Sequence, residues 1–123
     1  MITILLVDDE PDVLLGWRMR LGLEPDLNIV GAADRAAPAL ALAAAAQPQV
    51  ILLDLRLHGQ DSIDLIRRFQ AAAPGSRVIV VTIYDDARHR REVLAAGATD
   101  FVAKQESVEQ LLTAIRAAAP KGV

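Results

Sequence analysis

The feature that most constrains the fold is the segment Val50–Asp54, in which four consecutive apolar residues run directly into a carboxylate. An apolar run this short, opened by β-branched residues, is typical of a strand buried on both faces in a parallel sheet. A second run, Ile2–Val7, is followed by the acidic triplet Asp8, Asp9 and Glu10. Open α/β sheets bind ligands beyond the carboxyl ends of their strands. Parallel pairing of these two strands would therefore bring their carboxylates together at one edge.

Composition indicates a single domain without a membrane span. A chain of 123 residues can bury roughly two thirds of the surface that its unfolded form exposes. Its apolar stretches are interrupted well short of the ~20 residues that a spanning helix needs. The absence of cysteine excludes disulfides and thiolate chemistry, and the net charge of −3 lacks the basic excess of a nucleic-acid-binding domain. We therefore expect one cytoplasmic domain over residues 1–123 that contacts neither membrane nor nucleic acid.

Segments typical of strands alternate with segments typical of helices along the chain. The predicted strands are Ile2–Val7, Leu27–Ala32, Val50–Asp54, Arg77–Thr82 and Thr99–Ala103. The predicted helices are Asp12–Leu23, Ala36–Ala46, a helix from Ser62 that ends before Pro74, Asp85–Ala96 and Ser107–Ala118. This alternation predicts one parallel sheet covered on both faces by helices.

Polar or charged side chains end four of the predicted strands, and a doubly wound sheet places all of them on one rim. They are Asp8, Asp9, Asp54, Thr82 and Lys104. Three clustered carboxylates repel one another and exceed the charge of one lysine, so a divalent cation would neutralise them. Oxygen-only ligands select a hard ion such as Mg²⁺. Such a site suits a phosphoryl group held by Lys104 and Thr82, with Asp54 as the candidate nucleophile.

Each of these features also has an ordinary structural interpretation. A pair such as Asp8 and Asp9 commonly caps a helix, and Phe101 commonly belongs to a core. The stretch Arg88-His89-Arg90-Arg91 is basic, but successive helical residues point about 100° apart and cannot form one stripe. Acidic neighbours at helical spacing make surface ion pairs the expected state of these arginines.

Four stretches together make the sequence resemble response-regulator receiver domains, in particular the NarL/LuxR-type subgroup. They are Val7–Pro11, Leu52–Leu57, Val80–Asp85 and Ala95–Lys104. The resemblance spans the whole chain and implies a flavodoxin-like α/β fold, with a five-stranded parallel doubly wound sheet of order 2-1-3-4-5 and five helices. It also implies a signalling domain rather than an enzyme. Asp54 would accept a phosphoryl group from a phosphohistidine on a sensor histidine kinase, and the domain would assist its own phosphorylation and dephosphorylation.

The resemblance also assigns roles within the site. The Mg²⁺ ligands that it implies are Asp8, mainly through water, Asp9, Asp54 and the backbone carbonyl of Arg56. Thr82 and Phe101 would form a switch pair, in which the hydroxyl turns toward the phosphate and the ring follows inward. This movement would alter the face made by the fourth helix, fifth strand and fifth helix, where receivers commonly meet partners, a second copy of the phosphorylated chain among them.

Two other functions compete with this interpretation. A pseudo-receiver would bind partners without phosphorylation, although the intact acidic set argues against it. A phosphatase of the haloacid dehalogenase type also uses a strand-end aspartate, but it wants a second acid where Arg56 stands. The sequence departs from the common receiver pattern at His58, Ser62 and Gln105, and the last of these fits the NarL/LuxR-type subgroup. Such receivers usually precede a DNA-binding domain, so the chain is either a stand-alone receiver or the front half of a transcription regulator.

Overall fold

The computed structural model describes residues 1–54, 62–82, 87–104 and 107–119. The strands within these ranges are β1 (Ile2–Val7), β2 (Leu27–Ala33), β3 (Val50–Asp54), β4 (Arg77–Thr82) and β5 (Asp100–Ala103). The helices are α1 (Pro11–Leu21), α2 (Ala36–Ala46), α3 (Ser62–Ala72), α4 (Ala87–Ala96) and α5 (Val108–Ala118). All pairings are parallel, in the order β2-β1-β3-β4-β5. The predicted doubly wound sheet is therefore confirmed.

The helix ends follow local chemistry, and two of them correct the predicted boundaries. Helix α1 begins one residue earlier than predicted because Pro11, with its preset φ and missing N–H, suits the first helical position. It ends two residues earlier, at Leu21, and the backbone N–H of Gly22 donates to the Arg18 carbonyl. Helix α5 is capped by Ser107, whose hydroxyl accepts from the backbone N–H of Gln110 at 3.3 Å. The predicted start of α4 at Asp85 lies outside the described residues.

Alternation along the strands divides the core into two layers. The first layer joins one face of the sheet to α2, α3 and α4, and its strand residues include Leu5, Val7, Ile51, Leu53, Val80 and Phe101. The second joins the opposite face to α1 and α5, and its strand residues include Ile4, Leu6, Leu52, Val81 and Val102. All of β3 is buried, as expected of the central strand. No helix in the described parts of the chain has the length and apolar character needed to cross a membrane.

Helices α3 and α1 pack into the two layers through one face each. Ile66 and Phe69 of α3 are fully buried, and Ile63 packs against the same layer. On α1, Leu14 packs against the second layer, whereas Leu15 is 56% exposed. Only one of these two adjacent leucines can therefore contribute to the core.

Gly97 ends α4 in a conformation that other residues rarely adopt. Its φ is +118°, and an added Cβ would lie 1.9 Å from Nε2 of Gln70. The same Gln70 amide donates to the Gly97 carbonyl at 3.0 Å, which ties the end of α4 to α3. The positive φ therefore favours glycine at this position, whereas the flexible end of the Gln70 side chain could shift away from a Cβ.

An ion-pair cluster fastens α5 to the turn that precedes β2. Arg116 donates from Nε and Nη2 to Asp26, at 2.9 and 3.0 Å, and from Nη2 to Glu24 at 2.9 Å. Arg20 of α1 also donates to Glu24, at 3.0 Å. The hydrogen bonds from Arg116 lower the pKa of Asp26 and, together with that from Arg20, the pKa of Glu24.

This cluster predicts a pH dependence of stability. Because both carboxyl pKa values are lowered on folding, the stabilisation is present above their ordinary values of 3.8 and 4.5 and is lost as pH falls through the folded values. We expect Arg116→Gln to reduce the fall in melting temperature between pH 6 and pH 3. Because the groups are only partly buried, salt should shrink the difference. Arg88→Gln is the control, and an Arg116→Gln protein with the pH dependence of the wild type would contradict the assignment.

Candidate functional site

Three carboxylates meet at the carboxyl rim of the sheet. Val7 of β1 pairs with Leu53 of β3, so the residues that follow them, Asp8 and Asp54, lie side by side. Both are almost completely buried, at 0% and 2% exposure, and Asp9 is half-buried. One carboxylate oxygen from each of the three lies within 4.8 Å of the others. The parallel pairing of two apolar strands is what brings these acids together.

Lys104 supplies the positive charge of this cluster. It follows β5, where its backbone N–H donates to the Thr82 carbonyl at 2.7 Å. Its Nζ lies 3.1 Å from Oδ2 of Asp8 and 3.6 Å from Oδ1 of Asp54. The lysine thus extends from the edge strand across β4 to acids on both β1 and β3. Buried carboxylates need such a partner, because an unpaired charge away from water is strongly destabilising.

Three hydrogen bonds hold Asp8 in place. Its backbone N–H donates to the Ala33 carbonyl at 3.1 Å, and its Oδ1 accepts from the backbone N–H of Glu10 at 2.9 Å. Its Oδ2 accepts from Lys104 at 3.1 Å. Both carboxylate oxygens of Asp8 therefore already have hydrogen-bond donors within the chain.

Alternation places the two halves of the site on opposite sides of the sheet. Leu53 belongs to the layer beneath α3 and α4, so Asp54 falls on the side of α1 and α5. Val81 belongs to the opposite layer, so Thr82 falls on the side of α3 and α4, which is also the side of Phe101. Thr82 is fully buried and Phe101 is 3% exposed. The hydroxyl at the rim and the aromatic ring below it therefore share one face of the sheet.

The structure adds Arg90 to the residues expected from the sequence. Arg88 forms the predicted surface ion pair, with Nε 3.1 Å from Oε1 of Glu92. Arg90, in contrast, places its guanidinium carbon 4.9 Å from the centroid of the Phe101 ring. The helical spacing could have indicated this contact. Arg90 is three residues before Val93, which is fully buried, so the two residues lie on the same face of α4. Treating the four-residue basic stretch as solvent-facing missed this contact.

Several expected site features lie outside the described residues. These are the backbone carbonyl of Arg56, the loop residue His58 and Gln105 after Lys104. Helix α3 begins at Ser62 as predicted, but the side chain of that residue is not among those that the structure describes.

The donor chemistry of the rim fits a hard divalent cation. Asp8, Asp9 and Asp54 offer only oxygen ligands, and their carboxylates carry more negative charge than Lys104 offsets. Mg²⁺ prefers such oxygen donors and commonly keeps several waters when few carboxylates bind it. The cluster is therefore a candidate magnesium site.

Comparison with known proteins points to one family. The family model described as the response regulator receiver domain matches residues 4–116. The nitrate/nitrite response regulator NarL of Escherichia coli is 30% identical over 120 residues, which cover 95% of this chain and 54% of the relative. The transcriptional regulatory protein LiaR of Bacillus subtilis is 32% identical over 118 residues, covering 96% and 56%. The chain thus spans about half the length of the curated relatives it matches.

Solved structures give the same result at the level of the fold. The signal receiver domain of a NarL response regulator from Mycobacterium tuberculosis superposes with a TM-score of 0.83 at 28% identity, covering 94% of this chain and 96% of that one. A response regulator from Burkholderia pseudomallei, solved with a phosphorylated aspartic acid and a calcium ion, superposes with a TM-score of 0.80 at 27% identity. That match covers 94% of this chain and 66% of the other.

Proposed function

The chain belongs to the response regulator receiver domain family of two-component systems, among its NarL/LuxR-type members, and from this membership we propose that it is a Mg²⁺-dependent switch phosphorylated on Asp54. The observation that carries the proposal is the meeting of three carboxylates and one ammonium group at the carboxyl rim of the sheet. Response regulators receive their signal from sensor histidine kinases, so a phosphohistidine is the proposed donor. We assign the receiver to residues 1–123 as one domain.

In the proposed reaction, an Asp54 carboxylate oxygen forms a bond to phosphorus as the phosphorus–nitrogen bond to the donor histidine breaks. Lys104, whose Nζ is 3.6 Å from Asp54 Oδ1, can transfer a hydrogen bond from the carboxylates to a phosphoryl oxygen. The Thr82 hydroxyl is proposed to donate to another phosphoryl oxygen. The side chains of Asp8, Asp9 and Asp54, with the backbone carbonyl of Arg56, would hold Mg²⁺. When bound, this ion neutralises charge on the transferring group.

The ranking of the metal ligands can be tested by truncation. We expect Asp9→Ala to weaken Mg²⁺ binding more than Asp8→Ala, whose loss should be about tenfold, the low end of the range for a residue outside the first ligand shell. The physical reason is that both oxygens of Asp8 are engaged by Glu10 and Lys104, which favours contact with the ion through water. Calorimetric titration measures both affinities, and Asp34→Ala, an exposed acid elsewhere, is the control. Equal losses at Asp8 and Asp9 would show that the ranking is wrong.

Replacing Lys104 tests the charge balance and the switch together. Lys104→Ala leaves the buried Asp8 and Asp54 without their ammonium partner, so the metal-free domain should lose on the order of 2 kcal/mol of stability. Mg²⁺ should restore part of this loss. The variant also lacks a phosphate contact present only in the active state, so phosphorylation should no longer shift amide NMR signals from Ala87 to Ala118 as in the wild type. Identical shifts at equal phosphorylation would remove Lys104 from the switch.

Labelling with acetyl phosphate separates the proposed receiver from both competing functions. A receiver takes up one phosphoryl group per chain in the presence of Mg²⁺ and releases it slowly. A pseudo-receiver takes up none, and a phosphatase of the haloacid dehalogenase type hydrolyses acetyl phosphate over many turnovers. Intact-mass measurement and release of inorganic phosphate, followed in the same sample, distinguish the three. Many rapid turnovers without a stable phosphorylated chain would contradict the proposal.

The proposed output is control of transcription, which the names of several relatives indicate for those proteins. One of them, DevR/DosR of Mycobacterium tuberculosis, is a DNA-binding transcriptional activator. Phosphorylation would change the face formed by α4, β5 and α5 and promote association of two copies through it. Analytical ultracentrifugation before and after phosphorylation tests this step, and a monomer in both samples would overturn it.

A further inference from the structure

The Phe101 ring is covered by a cation from a neighbouring element. Phe101 lies on β5 beside Val80 of β4, and its ring packs into the layer beneath α3 and α4. The guanidinium carbon of Arg90, on α4, lies 4.9 Å from the ring centroid. This distance falls within the range of a cation–π interaction, and an arginine that is partly shielded from water gains more from it than an exposed one. Arg90 is half-buried, so part of this shielding is present.

We propose that Arg90 is a positioning residue that holds the Phe101 ring in its inward position and thereby sets the resting balance of the switch. An outward rotation of the ring would remove its face from the guanidinium and expose apolar surface that is now 97% covered by the protein, since Phe101 is 3% exposed. Loss of a contact of this kind changes a two-state population by about two- to fivefold. Arg90 therefore favours the ring-in state before any phosphate is present.

This inference rests on the proposed function at one point, the coupling of Phe101 to phosphorylation. Thr82 lies on the same face of the sheet as Phe101 and two residues beyond Val80, the strand partner of Phe101. If the phosphate draws the Thr82 hydroxyl toward it and the ring inward, Arg90 and the phosphate favour the same state. A ligand and a side chain that stabilise one state act on the same equilibrium. Arg90 would thus link the position of α4 to that of the ring.

The chain allows a direct measurement of the ring, because Phe69 and Phe101 are its only phenylalanines. Labelling with 4-fluorophenylalanine gives one reporter on Phe101 and one internal reference on Phe69, which is fully buried. Arg90→Met keeps the length and apolar stem of the side chain but removes the cation, whereas Arg90→Lys keeps a cation. Arg91→Met is the matched control, because it makes the same charge change at an exposed position of the same helix.

The unphosphorylated proteins test the contact itself. Saturation-transfer fluorine NMR, with the H₂O/D₂O shift as the measure of exposure, should show a ring-out population of Phe101 two- to fivefold larger in Arg90→Met than in Arg91→Met. Arg90→Lys should return most of the population to the ring-in state, which a loss of packing alone would not produce. Equal ring-out populations in Arg90→Met and Arg91→Met would overturn the proposal.

Phosphorylation with acetyl phosphate and Mg²⁺ then tests the link to the switch. It should lower the ring-out population in both wild type and Arg90→Met. A ring-out population that is unchanged at full phosphorylation in both proteins would overturn the link between the ring and the switch. Failure of the wild type to become phosphorylated would instead reject the proposed function of Asp54. In that event the comparison of the unphosphorylated variants would still decide whether Arg90 positions the ring.

Discussion

Replacing Asp54 with asparagine is expected to eliminate phosphorylation by acetyl phosphate, from one phosphoryl group per chain to none. The amide has the shape of the carboxylate but is a poor nucleophile. The fold should survive, because Lys104 keeps its hydrogen bond to Asp8 at 3.1 Å and one of three mutually repelling carboxylates is removed. Intact-mass spectrometry measures the loss, and circular dichroism checks the fold.

The matched control for this change is Asp64→Asn. Asp64 lies on α3 with a side chain that is 61% exposed, so the same chemical substitution is made away from the rim. This variant should be phosphorylated like the wild type. Stoichiometric and stable phosphate on the Asp54→Asn protein would exclude Asp54 as the acceptor.

The second large effect concerns the scaffold that holds the rim in place. Phe69 of α3 is fully buried in the layer that supports β3 and β4, and we expect Phe69→Ala to lower the free energy of unfolding by about 3–5 kcal/mol. Since small domains are stable by only about 5–15 kcal/mol, this is a large share of the total. Denaturant titration followed by circular dichroism gives the value.

A matched truncation on α1 calibrates this result. Leu15 is 56% exposed, so Leu15→Ala should change the free energy of unfolding by no more than about 0.5 kcal/mol. Comparable losses for Leu15→Ala and Phe69→Ala would mean that the first layer does not carry the stability assigned to it.

The sheet and the meeting of the acids were predictable because strong local patterns determine them. The short, apolar segment Val50–Asp54 favours a buried strand, and an acid at the end of such a strand lies on the rim of a parallel sheet. The same reasoning placed Asp8, Thr82 and Lys104 at strand ends without knowledge of their side-chain contacts. The residue pattern and the sheet topology were therefore sufficient to predict most of the site residues.

The contacts that escaped prediction depend on geometry that residue type and spacing alone do not reveal. Arg116 and Asp26 are 90 residues apart in the sequence, and no local periodicity predicts that they pair. The second hydrogen bond of Asp8, from the Glu10 backbone, depends on the turn after β1 rather than on residue type. The Arg90 contact with Phe101 requires knowing which face of α4 meets β5. The Arg116 and Arg90 contacts thus depend on tertiary packing, which overrides what short segments favour on their own.

Locating the phosphoryl group shows directly whether Asp54 is the acceptor, and the sequence makes the measurement simple. The tryptic peptide over residues 36–56 contains Asp54 as its only acid, whereas Asp8 and Asp9 fall in a separate peptide over residues 1–18. The chain would be treated with acetyl phosphate, with Mg²⁺ or with a chelator, and the acyl phosphate then reduced by borohydride before digestion. We predict that reduction marks only the peptide 36–56, and only with Mg²⁺. A mark on the peptide 1–18, or one that persists with the chelator, would contradict Mg²⁺-dependent phosphorylation of Asp54.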